Sequence, residues 1–250
     1  MRFDHLLHWV PDREAGVRAY RDAGFHVAIG GEHPAWGTHN ALVHFGLPYV
    51  EIIAFREPGR QDPAGVHLFR GAGRMLGRGG GAATFAVAVP DMARAAAELR
   101  ARGLAVGEPE PGRRVRPDGS ELRWRTAALT GGPEWRPFLI QWEQPDPERL
   151  ADLRARGIDA PHPLGEVQMR HIVIASRDPA GDAEWCAHLT GHPARREGAG
   201  WRVPLAGCDI VLVAADAGVA DGEAPRITRL VLAGPIARRI GLFGLDVVVE

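Results

Sequence analysis

Lysine is absent from this chain: all 30 basic residues among its 250 are arginine. That excludes a lysine Schiff base as a chemical device, and a GC-rich coding bias explains the preference more simply than function does. Cysteine is nearly absent too. Cys186 and Cys208 stand apart with no CxxC spacing, which argues against a zinc cluster or a disulfide scaffold and fits a reducing compartment. No apolar run approaches the ~20 residues needed to cross a bilayer, and no basic stretch followed by an apolar core opens the chain. A soluble, cytoplasmic protein is expected. Neither sign of charge is in excess, since 30 basic residues face 31 acidic ones for a formal net charge of −1. There is thus no electrostatic case for nucleic acid or an anionic membrane as a partner. Gly79-Gly80-Gly81 lacks the Lys-Ser/Thr of a P-loop, and neither a dinucleotide fingerprint nor a GxSxG elbow is present.

What is present is one phrase stated three times: an apolar strand, an Asp that starts an amphipathic helix, and a Gly that stops it. Asp12 and Gly24 lie 12 positions apart, as do Asp91 and Gly103; Asp178 and Gly191 are 13 apart. The Asp residues suit N-caps and the Gly residues suit left-handed helix stops. Short strand-like runs follow each helix, so each copy reads as a β-α-β-β-β module. In module one (1–56), strands are expected at Phe3–Val10, Phe25–Ile29, His39–Phe45 and Tyr49–Phe55, with Gly30 to Thr38 as a loop. Residues 56–79 have no clear assignment. In module two (80–145), a strand at Ala83–Val89 precedes a helix whose Met92, Ala95, Ala96 and Leu99 form an apolar stripe. Pro117-Asp118-Gly119 signals a turn, and strands follow at Glu121–Leu129 and Pro137–Trp142. A polar helix at about 146–156 and a loop to 165 read as a linker. The third module (166–250) ends in strand-like runs at Asp209–Ala214, Ile227–Ala233 and Leu245–Val249, with no evident fourth copy. The fold class is α+β: paired modules forming a cupped mixed sheet, with a third related module at the C-terminus. Unpaired edge strands in that module would need cover, so a homodimer is expected.

The motifs Asp4-His5, Val10-Pro11-Asp12, Gly30-Gly31-Glu32-His33-Pro34, Gly37 to Leu42, Tyr49 to Ile53, Pro137 to Trp142 and His162-Pro163 resemble the vicinal oxygen chelate superfamily, in its glyoxalase-like branch. The resemblance covers residues 3–175 well and the C-terminal module loosely. It implies a U-shaped sheet around a divalent metal (Zn, Ni, Mn or Fe) that polarises oxygens of a small substrate. It also implies ligands on the first and last strands of each module. It does not fix a reaction, because isomerases, dioxygenases, epimerases and metal-free sequestering proteins of the bleomycin-resistance type share the fold.

Transferred residue by residue, the resemblance makes His5 and Glu51 the module-one metal ligands, with Glu51 also a catalytic proton acceptor. His5 shares a strand face with Leu7 and Trp9, opposite His8. A carboxylate within Tyr-Val-Glu-Ile-Ile needs a partner or a cation. Module two departs from the pattern. The position matching His5 is Thr84, a poor ligand, and the match to Glu51 is Gln141, a modest oxygen donor or substrate contact. His39, as a catalytic imidazole, and His33 and Asn40, as substrate contacts, are candidates to make up the deficit. Arg123 and Arg125 alternate with Trp124. Either this arginine pair lines the cup, where it would bind a carboxylate or phosphate, or it is solvated with Trp124 inside; Arg114 and Arg116 lie nearby. In module three His171 and Asp209 sit near the equivalent places and read as a remnant. An enzyme of lyase, isomerase or dioxygenase type acting on a small oxygenated metabolite is expected. The alternative is a metal-free small-molecule binder.

Overall fold

The computed structural model describes residues 1–34, 36–57, 69–116, 119–215 and 226–250. Residues 58–68 of the unassigned 56–79 connection, and Pro117 and Asp118 of the expected turn, lie outside the described residues. Each repeat begins as its composition requires. Asp12 accepts from the Ala15 N–H (2.7 Å), Asp91 from the Arg94 N–H (3.0 Å) and Asp178 from the Gly181 N–H (3.0 Å). These caps open helices α1 (Arg13–Asp22), α3 (Met92–Ala101) and α5 (Pro179–Thr190). Gly24 and Gly103 follow α1 and α3 with φ of 90° and 83°, a conformation that a Cβ would strain.

The first half pairs β1 (Arg2–Trp9) in parallel with β4 (Tyr49–Phe55), and β4 with β3 (Thr38–His44), which pairs with β2 (Ala28–His33). The second half repeats this. β5 (Gly81–Ala88) pairs in parallel with β9 (Phe138–Trp142), β9 with β8 (Glu121–Thr130), and β8 with β7 (Glu110–Val115) and the short β6 (Ala105–Val106). β1 and β5 join the halves in an antiparallel seam. The cupped mixed sheet is therefore α+β in class. A short α2 (Ala72–Leu76) and α4 (Asp146–Ala155) pack beside it. No helix among the described residues is long and apolar enough to cross a membrane.

The expected loop Gly30–His33 is instead strand, with a register shift between Ile29 and Glu32. The Asn40 amide oxygen accepts from the Gly31 N–H at 2.8 Å, and a Cβ on Gly30 would come within 1.9 Å of that oxygen. Glycine here makes room for the Asn40 side chain and does not mark a turn.

The C-terminal region holds more than one module. β10 (Gln168–Ser176) pairs in parallel with β13 (Asp209–Ala214), which continues to β12 (Gly200–Val203) and β11 (Arg195–Glu197). β14 (Arg226–Ala233) lies antiparallel to β10, as β5 lies to β1. β14 then pairs in parallel with β16 (Leu245–Val249), itself antiparallel to β15 (Arg238–Leu242). Strand for strand this is an abbreviated fourth copy, which the sequence hides because no Asp–helix–Gly phrase accompanies it. One large core lies between the sheet's outer face and the helices. A second apolar cluster, including Leu7, Ile53, Phe69, Phe138 and Ile140, lines the inside of the first cup.

Candidate functional site

Alternation along the strands decides which side chains enter the cup. β1 contributes His5 and Leu7, β4 contributes Tyr49, Glu51 and Ile53, and β3 contributes Asn40, Leu42 and His44. From the second half come Phe138, Ile140 and Trp142 of β9 and Leu122, Trp124 and Thr126 of β8. His33, Trp36, Phe69, Arg114 and Arg116 form the rim, and Arg149, Asp152 and Leu153 of α4 roof it. The cavity has about 100 Å³ of free space, room for several waters at ~10–15 Å³ each or for one small organic molecule.

At its floor four polar side chains, Asp4, His5, Glu51 and Asn40, form a chain of contacts. The His5 Nδ1–H donates to Asp4 Oδ1 at 2.7 Å, and His5 Nε2 lies 3.5 Å from Glu51 Oε2. The Asn40 amide donates to Glu51 Oε1 at 2.6 Å. Asp4 is fully buried; it also accepts from Arg2 at 2.9 Å and from the Trp142 indole N–H at 3.0 Å. Burial alone would raise its carboxyl. The His5 hydrogen bond and the charges of Arg149, His5 and Arg2 outweigh that and hold it well below the usual carboxylate range. A fixed carboxylate on Nδ1 sets the tautomer and leaves Nε2 facing Glu51. Tyr49 is sandwiched between His5 and His44, each stacked on it at 4.6 Å. Burial pushes the Tyr49 hydroxyl well above its ordinary range, so it stays protonated.

The roof carries cations. Arg2 holds Asp146 at the start of α4 with two 2.7 Å hydrogen bonds, and Arg116 holds Asp152 at 2.9 Å. Between these ties Arg149 points inward, with its guanidinium carbon 4.2 Å from the centre of the Trp142 ring. Arg114 makes no hydrogen bond to a described side chain and faces Tyr49 and Glu51. Burial lowers its pKa first, and those two anionic or potentially anionic groups raise it.

Of the residues expected to build the site, His5, Glu51, Asn40 and His33 converge on the cavity. His33 Nδ1 lies 3.0 Å from the Thr38 hydroxyl, and burial lowers its pKa. His39 does not converge. It alternates with Asn40 on β3 and stands on the opposite face, near Arg13 and Glu14 at the start of α1. Arg123 and Arg125 are also outside, exposed, with Arg123 bonded to Glu121; Trp124 is the residue that points in. Gln141 lies on the outer face of β9, where it accepts from the Met92 N–H at 3.0 Å and fastens α3.

Register shows what happened to the second pair of ligand positions. Leu7 pairs with Glu51, and its counterpart Ala86 pairs with Phe138, so Phe138 takes the place of Glu51. Thr84, the counterpart of His5, gives its hydroxyl to the Arg136 carbonyl at 2.9 Å. By the same register Asp209, which pairs with His171, matches Tyr49; the Glu51 position there is Val211. Among the described residues no three His, Cys, Asp or Glu side chains are grouped to hold a metal ion. The donors at the floor are one imidazole and one carboxylate that already accepts from Asn40, opposite carbon walls and two arginines. The set does not fit a resident transition-metal ion, which takes at least three protein ligands.

Sequence reasoning passed over Asp4, His44, Tyr49, Trp142 and, above all, Arg149. Arg149 lies one helical turn before Leu153, and these are the two buried positions of α4, a matter of packing that the helix's own sequence does not state.

The profile of the glyoxalase-like domain family matches residues 3–190. The chain belongs to that family, within the vicinal oxygen chelate superfamily. No curated protein matches this glyoxalase-like protein. Among solved structures it is similar to a hypothetical protein from Staphylococcus aureus, with a TM-score of 0.81 at 14% identity over 99% of this chain and 98% of that one. It is also similar to a mutant 4-hydroxymandelate synthase from Streptomyces coelicolor, with a TM-score of 0.59 at 16% identity over 94% and 72% of the two chains. At such identities these likenesses speak for the fold alone.

Proposed function

We propose that this glyoxalase-like protein is an enzyme of lyase or isomerase type that moves a proton on a small oxygenated metabolite bound in the first cup. The observation that carries the reading is the Asp4–His5–Glu51 chain at the bottom of an aromatic-lined cavity. Glu51 takes a proton from the carbon beside a carbonyl, and the C–H electron pair moves onto the carbonyl oxygen as an enolate. The Arg114 guanidinium at the rim supplies positive charge for that oxygen. His5, oriented by Asp4, accepts the proton from Glu51 or returns it to the substrate. Carbon walls keep the effective dielectric low, which strengthens each of these interactions relative to water. Because the donors do not make up a metal site, the proton-transfer branch of the expected chemistries is favoured over the dioxygenase branch.

A second reading, a metal-free sequestering protein, draws on the density of Trp36, Trp124, Trp142, Phe69 and Phe138 around the cavity. One experiment separates them. Pyruvate, phenylpyruvate and dihydroxyacetone in D₂O are followed by NMR with wild type and with Glu51→Gln. Protein-dependent exchange at the carbon next to the carbonyl, lost by at least a hundredfold in Glu51→Gln, supports the enzyme. Binding of the same compounds without exchange transfers the weight to sequestration.

A further inference from the structure

Two buried polar atoms at the cavity have no hydrogen-bond partner among the described residues: Nη1 of Arg149 and Nε2 of His44. Arg149 is 4% exposed and His44 1%. Unsatisfied buried groups of this kind carry a desolvation penalty, and they are rare unless a ligand, water or ion completes them. The two differ in what they need. A guanidinium only donates. His44 donates from Nδ1 to the Gly46 carbonyl at 3.0 Å, which leaves Nε2 as an acceptor, and burial keeps the ring neutral. The acids nearby accept no hydrogen bond from Arg149. Asp4 is occupied by Arg2, His5 and Trp142, while Asp152 is occupied by Arg116 and Arg156. Both orphaned residues line the cavity that holds Glu51.

We infer that the first cup receives a small hydroxycarboxylate with an apolar body, its carboxylate on Arg149 and its hydroxyl donating to His44. This inference rests on the reading of that cavity as the functional site and adds its ligand class. Arg149 offers a planar fork that matches a carboxylate. Trp142 beneath the guanidinium and Trp124 beside it supply the apolar wall for the body of the ligand. Arg123 and Arg125, which the sequence left open as an anion receptor or a solvated face, are exposed on the outer face, and the receptor inferred here lies on α4.

The probes are 3-phenyllactate, its amide, and 3-phenylpropionate, which lacks the hydroxyl. Binding is read by calorimetry and by quenching of tryptophan fluorescence. In wild type the acid should bind at least tenfold tighter than the amide, and removing the hydroxyl should weaken binding severalfold. Arg149→Met should erase the preference for acid over amide, and His44→Phe the effect of the hydroxyl. Arg149→Lys, which keeps the charge but loses the fork, should fall between and guards against a folding failure in the methionine variant. Equal binding of acid and amide, an unchanged preference in both Arg149 variants, or no binding of any probe overturns the inference. Glu51→Gln should still bind phenyllactate. Arg149-dependent binding without proton exchange sinks only the catalytic reading; exchange on neutral ketones without acid preference sinks only this one.

Discussion

Replacing Asp4 by asparagine tests the centre of the site through stability, without knowledge of the substrate. The carboxylate is fully buried and answers three donors: His5 at 2.7 Å, Arg2 at 2.9 Å and Trp142 at 3.0 Å. An amide in its place would keep one acceptor oxygen but lose the charge, leaving Arg2 and Arg149 without their buried counter-ion. Breaking a buried pair on one side costs about 3–5 kcal/mol. For a chain of this size each kcal/mol moves Tm by ~2–4 °C, so the midpoint should fall by about 6–20 °C. The sign of the pH dependence follows from the depressed Asp4 pKa. Its contribution is complete above the unfolded value near ~3.9 and is lost as pH falls through the lower folded value. The gap between wild type and Asp4→Asn should therefore be full at pH 7 and narrow below about pH 4. Differential scanning calorimetry at several pH values measures both. A fall of less than about 2 °C, equivalent to roughly 0.5 kcal/mol and typical of a surface change, would refute the assignment of Asp4 as the buried anchor of His5 and Arg2.

Two further outcomes are expected. Burial pushes His8 and His44 down to about 4 each, so below the ordinary value of 6.5 the unfolded chain binds protons that the native state refuses. Their contribution is complete above pH 6.5 and is lost as pH falls toward 4; at about 1.4 kcal/mol per unit, stability at pH 5.0 should be about 4 kcal/mol lower than at pH 7.5. Urea unfolding at the two pH values checks this, His8→Gln should take back about half of the difference, and flat stability across the window would contradict the burial of both rings. Arg123→Ala and Arg125→Ala, on the solvated face of β8, should leave phenyllactate affinity within twofold of wild type; a tenfold loss in titration calorimetry would place that face inside the cup after all.

Much of the fold was legible because its signals are local. Asp12, Asp91 and Asp178 cap helices, and the strand at Tyr49–Phe55 begins and ends where it was expected. Glu51 within an apolar strand and His5 beside Asp4 were readable for the same reason: an ionisable group in a buried strand has few ways to be stable. What failed was what depends on register between distant strands. Gln141 looks like the match to Glu51 by order along the chain, yet parallel pairing of β5 with β9 puts Phe138 there and turns Gln141 outward. A single step of register reverses the face of every side chain, and no local pattern states that step. The arginines of β8 were ambiguous for a related cause: alternation says that Arg123 and Arg125 share a face, not which face is covered. The fourth strand set escaped because it has shed its helix, the one element that announced the other three.

The two halves of the first cup share a backbone plan but divide its chemistry, and the division argues for how the site works. The first half keeps the polar groups of the floor, Asp4, His5, Asn40 and Glu51. The second has carbon at the matching depth, Ala86 and Phe138. Had the second half kept an imidazole and a carboxylate, four donors would have converged and a cation would be the natural occupant. With carbon there, and with Arg149 brought over the opening by a helix outside both repeats, the positive charge comes from the protein itself. A cup built so has its positive end in the roof and its imidazole and carboxylate in the floor, with indole rings between. An anionic ligand of matching length would lie with its reactive carbon over Glu51. Shifting α4, by cutting the Arg2–Asp146 tie with Asp146→Ala, should thus weaken acid binding while leaving the floor intact, a separation that binding of phenyllactate and of its amide would read directly.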